Sequence, residues 1–237
     1  MAKKGHIMSK TTLLHYAKEL GGESVSVLVK PPLSTETKAK RLVYAKKLAH
    51  RPVEAWRKVV FLDEAAYAPT TPGRIIKLKG QPTPTKHIDK RAPKIHFMGY
   101  ISAAGKKSAL NVLKPGETWT AARLVKLIRG LKQPGVEVVL DGASPHNRLK
   151  RELVATGATV LPHPPYSPDL NPIENVWAVV KAKAAAQGPR NAEEVVKALK
   201  AAWREITPTR FKAYADSMHQ RLQVVLQGGG GAYKVLT

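Results

Sequence analysis

Pro164-Pro165-Tyr166-Ser167-Pro168-Asp169-Leu170-Asn171-Pro172-Ile173-Glu174-Asn175-Val176-Trp177 reads as a stiff loop that runs directly into a helix. Proline fixes φ and suits neither a strand ladder nor a helix interior, so the first part of the stretch is loop. Asn171 is a good N-cap and Pro172 suits the first helical position, which puts Glu174 in the first turn. Two readings of Glu174 stand side by side. It can bond back to the cap N–H in a capping box, or it can be a carboxylate that a rigid loop presents at a fixed place. Asp169 reads as the residue that fixes the loop's turn.

Two acids upstream share a pattern with each other. Asp63 follows the apolar run Val59-Val60-Phe61-Leu62, and Asp141 follows Val138-Val139-Leu140. Short apolar runs of this kind are buried strands, and each aspartate is expected at a strand's carboxyl end. Either can be a turn residue that caps backbone N–H groups, Asp141-Gly142 being a common turn pair. Taken together with Glu174 they have a second reading. Mg²⁺ prefers hard oxygen ligands and takes one or two carboxylates plus substrate phosphates. Two ions held by acids from separate elements can activate water and stabilise the leaving oxygen in phosphodiester cleavage.

The rest of the chain alternates strands and helices and defines an α/β class. After a helix at 8–20 and a Pro-rich linker, residues 35–50 form a basic helix. In it Lys38, Lys40, Arg41, Lys46 and Lys47 surround Leu42, Ala45 and Leu48. Strands are expected at 59–62, 74–78, 95–101, 108–113, 136–140 and 159–161. Helices are expected at 118–131, 149–155, 172–186, 191–205 and 208–226. That order fits a mixed sheet with an antiparallel start and parallel additions, flanked by helices. Ligands of such sheets gather beyond strand carboxyl ends. Trp177 and Val180 share an apolar helix face and belong to the core. Glu64, next to Asp63, is expected to point to the other side of its strand.

Charge points the same way. There are 40 Lys+Arg against 17 Asp+Glu, a formal net charge of +23, and a polyanion is the simplest partner for that excess. A basic structural protein is the bland alternative. With no cysteine, disulfides and Cys-ligated zinc are excluded. No apolar run approaches the roughly 18 residues of a membrane span, so no membrane partner is expected. Met1–His6 is basic without an apolar stretch behind it and does not read as a secretory signal.

The strings Phe61-Leu62-Asp63-Glu64, Leu140-Asp141-Gly142-Ala143-Ser144-Pro145-His146 and Pro165-Tyr166-Ser167-Pro168-Asp169-Leu170-Asn171-Pro172-Ile173-Glu174-Asn175-Val176-Trp177 together resemble the Tc/mariner transposase superfamily. The resemblance covers residues 34–237, and more weakly 8–30. It implies a ribonuclease H-like fold and a DDE-type catalytic triad of Asp63, Asp141 and Glu174. These would hold two Mg²⁺ (or Mn²⁺) ions, Asp63 bridging both, Asp141 and Glu174 holding one each. It implies cut-and-paste DNA transposition: strand cleavage at transposon ends, then strand transfer of the freed 3′-OH into a TA target. It also implies double-stranded DNA as partner, a homodimer on that DNA, and a nuclear location if the source is eukaryotic, otherwise the bacterial cytoplasm.

The sequence departs from the family pattern in three places. The 32 residues between Asp141 and Glu174 are slightly fewer than is usual when the triad ends in Glu. Gly142 replaces the usual Asn. Residues 1–33 read as a remnant of the N-terminal helix-turn-helix DNA-binding region and its linker, so that an N-terminally shortened copy is expected, with 34–237 as catalytic domain. Lys10, Thr11 and Thr12 stand where a recognition helix would begin and are candidate DNA contacts, an ordinary helix start being the other reading. Lys181 lies on the side of Glu174 and is a further candidate for DNA, or else a solvated lysine. Two rival functions remain at this point: an inactive or domesticated DNA-binding relic, and another ribonuclease H-like nuclease.

Overall fold

The computed structural model describes residues 33–68, 94–132, 134–141 and 146–231, all within the unit Leu33–Thr237. The readings made for residues 1–32, including Lys10, Thr11 and Thr12, and for the strand at 74–78 lie outside the described residues.

Helix α1 spans Thr35–Leu48 and starts at Ser34, whose hydroxyl accepts from the Thr37 amide at 3.2 Å. A short α2, Val53–Lys58, leads into strand β1, Val60–Tyr67. There follow β2 (Ile95–Ile101), β3 (Asn111–Val112), α3 (Ala121–Leu127) and β4 (Glu137–Val139), then α4 (His146–Val154) and β5 (Thr159–Leu161). Four helices complete the described chain: α5 (Ile173–Ala186), α6 (Ala192–Arg204), α7 (Pro208–Asp216) and α8 (Met218–Gln227).

The five strands form one mixed sheet in the order β3-β2-β1-β4-β5. The β1–β2 and β2–β3 pairs are antiparallel, and β1–β4 and β4–β5 are parallel. Strand alternation divides the sheet into two faces. Phe61, Phe97 and Ile101 point into a core built with Trp56, Trp177, Trp203 and Phe211, under α1, α2 and α5–α8. Val60, Leu62, Met98 and Val138 point the other way, into a smaller core under α3 and α4. Trp177 stacks on Trp203 at 5.2 Å and meets Phe97 edge-on at 5.3 Å, so α5 and α6 are pinned to the sheet by aromatic contacts.

Three expectations are corrected. Asp63 is not at the end of a strand but in the middle of β1, which runs on to Tyr67 because it stays paired with β2 throughout. Its parallel partner β4 stops earlier, at the Phe61–Val139 pair, and this leaves Asp63 open on that side. The helix expected over 208–226 is broken at Ser217, whose hydroxyl donates to the Tyr214 carbonyl and so competes with the helical ladder. The helix expected over 118–131 closes at Leu127, and a separate 3₁₀ turn, Arg129–Leu131, follows.

Candidate active site

Early termination of β4 opens a crevice at the sheet's parallel side. Asp141 lies two residues past the end of β4, and Asp63 lies two residues past the last β1–β4 pair. Glu174 comes from the first turn of α5. All three carboxylates line one cavity of about 520 Å³. Glu64 stands at its rim, and the loop at 163–168 forms its opposite wall.

The proline loop arrives with its own support. Leu170 N–H donates to the Ser167 carbonyl at 3.0 Å and Asn171 N–H to the Pro168 carbonyl at 3.1 Å, closing the 3₁₀ turn Pro168–Leu170. The position of the cap decides between the two readings of Glu174. The helix is capped at Pro172 rather than at the expected Asn171, with no side-chain cap bond, and proline has no N–H to offer a capping box, so the Glu174 side chain faces the cavity instead. Asn171, just before the cap, accepts from the Ile173 amide through Oδ1 at 3.4 Å, while its Nδ2 reaches Asp63 Oδ2 at 3.4 Å. The same side chain therefore touches the start of α5 and orients the acid on β1.

Behind the loop lies Arg41, fully buried. Its Nη1 and Nη2 grip the Asp169 carboxylate at 2.9 and 2.6 Å, and Nη1 also donates to Ser167 Oγ at 2.7 Å. Nε and Nη2 donate to the carbonyls of Gly230 and Gly231. Every guanidinium N–H is thus used. Arg221 adds a second brace through the Asp169 carbonyl and Asn175 Oδ1, both at 2.7 Å. Asp169 fixes the loop, as expected. Arg41, read from sequence as one of the charges on the outside of a basic helix, is instead a buried strut.

Electrostatics set this cavity apart from the rest of the surface. Burial, then repulsion from Glu174 and Asp141, holds the Asp63 carboxyl well above the usual carboxylate range, against the pull of the Glu64 N–H that donates to it at 2.8 Å. Burial also raises Glu174, with Asp141 adding to the shift and the Lys181 ammonium opposing it. Lys181 is therefore near enough to Glu174 to act on its charge. His163, on the cavity wall, is pushed down to about 4 by burial, against the attraction of Asp141 and Asp169. Sequence reasoning missed His163, Tyr166 and Arg41. Only Arg41 left a trace, as a basic residue in register with the buried Tyr44, Ala45 and Leu48 of α1.

The donor chemistry fits a hard divalent cation: carboxylate oxygens from three separate elements, mutually repelling and partly desolvated. Among the described residues no three His, Asp or Glu side chains are drawn into a closed metal-ligand group. An open set of this kind suits an ion that completes its shell with water and substrate phosphate.

Acids gathered at the parallel crevice of a mixed sheet suit metal-assisted cleavage of a phosphodiester. The model of the DDE superfamily endonuclease family matches residues 58–205, more than half of the chain, and the chain belongs to that family. Curated relatives that it matches are named transposases of the Tc1, Tcb1 and Tc3 transposable elements. The chain is 26% identical to the Tc3 transposase of Caenorhabditis elegans over 94% of its length and 71% of that protein's. It is 35% identical to the Tc1 transposase of Caenorhabditis elegans, over a stretch that makes up 32% of this chain and only 28% of Tc1 transposase. Among solved structures, a pre-cleavage Mos1 transpososome is matched with a TM-score of 0.76 at 23% identity, over 95% of this chain and 72% of that one. The catalytic domain of Mos1 mariner transposase is matched over its whole length and 87% of this chain, with a TM-score of 0.68 at 21% identity. The fold is ribonuclease H-like.

Proposed function

We propose that residues 34–237 are the catalytic domain of a cut-and-paste DNA transposase, and that Asp63, Asp141 and Glu174 are its catalytic triad. The observation that carries this is the meeting of these acids, from β1, the end of β4 and the start of α5, in one cavity of a chain with net charge +23. The wider surface attracts a polyanion while the cavity repels it, and divalent cations at the acids reconcile the two. Asp63, Asp141 and Glu174 would hold two Mg²⁺ or Mn²⁺ ions. When bound, these supply Lewis-acid activation of water and charge stabilisation at the leaving oxygen. Solved Mos1 structures carry Mn or Mg by their descriptions.

The chain's own residues do the positioning. The Glu64 amide and Asn171 side chain fix the two oxygens of Asp63. Lys181, whose charge acts on Glu174, would meet a DNA phosphate in this reading. His163 is neutral at physiological pH and adds no positive charge that would compete with a cation at the acids. In this reading a phosphodiester is hydrolysed to a 5′-phosphate and a 3′-OH, and the 3′-OH then displaces a 3′-oxygen in TA target DNA. A paired copy of the chain on DNA belongs to the same proposal, as Mos1 forms a paired-end complex with its transposon end.

The test is Mg²⁺- or Mn²⁺-dependent nicking of plasmid DNA. The chain is expected to nick, and Asp141→Ala to abolish it. Nicking that survives Asp141→Ala overturns the triad. Intact DNA binding with no metal-dependent cleavage by the unaltered chain would favour the DNA-binding relic.

A further inference from the structure

Tyr166 is held in a backbone conformation that its own side chain does not favour. Among the described residues it is the one non-glycine with positive φ, at 51°. Bulky L-residues adopt this region only at a cost, because Cβ crowds the following carbonyl. The residue is also 80% exposed, so ring burial does not offset that cost. The neighbours are fixed. Ser167 is buried, donates to the Pro165 carbonyl at 2.9 Å and accepts from Arg41. Pro164 is buried on the other side. The backbone is thus anchored at Pro164 and Ser167, on either side of an exposed Pro165-Tyr166 pair, and one uncharged aromatic ring lines the acid-lined cavity.

Strain that the surroundings enforce, paired with an exposed aromatic at a binding cavity, marks a ligand contact. We propose that the Tyr166 ring stacks on an unpaired nucleobase at the mouth of the cavity lined by Asp63, Asp141 and Glu174. This rests on the DNA-cleaving reading above. Every nucleobase offers a π-face, and stacking on a protein aromatic is tolerant of sequence. Inside an intact duplex both faces of a base are already covered. The ring can therefore engage only a base at a strand end, in a single strand, or turned out of the helix. The residue would select DNA that is locally opened at the cavity.

The test separates ring from backbone. Asn tolerates positive φ, so Tyr166→Asn keeps the loop and removes the ring, while Tyr166→Phe keeps the ring. The probes are a single-stranded oligothymidylate with one central 2-aminopurine and the same strand fully paired, both titrated in EDTA. Tyr166→Asn is expected to lose single-strand affinity on the order of tenfold and the 2-aminopurine response with it. Its duplex affinity and melting temperature should stay unchanged, and Tyr166→Phe should match the unaltered chain. Equal single-strand binding by Tyr166→Asn overturns the proposal, as does an equal loss in Tyr166→Phe or a failure of the unaltered chain to bind either probe. Because no metal is present, absent nicking would sink the catalytic reading without altering this result.

Discussion

Asp63 is held at a cost to the fold. It is 8% exposed, faces Glu174 and Asp141, and its charged form is relieved mainly by one backbone N–H and a long amide contact. With its carboxyl raised, the folded chain keeps a proton that the unfolded chain releases from about pH 4 upward. Its contribution to stability is therefore complete below that pH and declines as pH rises toward the raised folded value. Asp63→Asn removes the charge and keeps the shape. At pH 7 in EDTA this variant should melt a few degrees higher than the unaltered chain, with the gap closing toward pH 4. Mg²⁺ should raise the melting temperature of the unaltered chain and leave the variant unmoved. A variant that melts lower in EDTA at pH 7 would contradict this. At this scale the three acids stood out because two follow short apolar runs and the third lies in the first turn of a patterned helix. The state of Glu174 was not legible, because it turned on where α5 is capped, at Pro172 rather than Asn171, a shift of one residue that the sequence does not register. Tyr166 was invisible for a similar reason: its neighbours, not its own identity, force its φ.

Elements behind the site depend on one small residue. Gly99 pairs with Asp63 across the β1–β2 ladder, and a Cβ there would lie 3.0 Å from the Trp203 ring of α6 and 3.2 Å from Ser108 Oγ. Paired residues of an antiparallel ladder share a face, so Gly99 lets α6 approach the sheet on the side where Asp63 projects. Trp203 is fixed by its stack on Trp177 and its indole bond to the Ser108 carbonyl at 2.9 Å, so it cannot swing away. Gly99→Ala should then cost about 1–3 kcal/mol of overpacking, read as a drop in denaturation midpoint at unchanged m-value. A neutral substitution would show that α6 is free to shift. This close approach explains what was readable in the fold. Strand and helix positions follow from apolar periodicity and were read along most of the described chain, as at 95–101 and in the helix expected over 172–186. Where β1 ends and where the last helix breaks depends on pairing with β2 and on the Ser217 hydroxyl, and periodicity registers neither.

At the scale of the whole described unit, its first helix and the turn after its last helix meet behind the proline loop. α1 opens the unit, and the turn that follows α8 lies against it. At Gly230 φ is 86° and an added Cβ would come within 2.4 Å of the Lys38 carbonyl, so only glycine lets the turn sit there. Arg41 ties the three parts together, binding Asp169 in the loop and the Gly230 and Gly231 carbonyls in the turn. A guanidinium fork does this where a lysine point charge does not. Arg41→Met leaves Asp169 buried opposite an apolar group, a loss of about 3–5 kcal/mol when one partner of a buried pair is removed. For a chain of this size that is a fall in melting temperature on the order of 10 °C. Arg41→Lys should recover little of it. Arg41→Met combined with Asp169→Leu should recover more, because the buried carboxylate is then removed along with the guanidinium that gripped it. Amide exchange adds a local reading. If Arg41 braces the site, protection at Leu170 and Asn171 falls further in Arg41→Met than protection in β1, whereas an equal fall in both would make it a stability residue with no special hold on the loop.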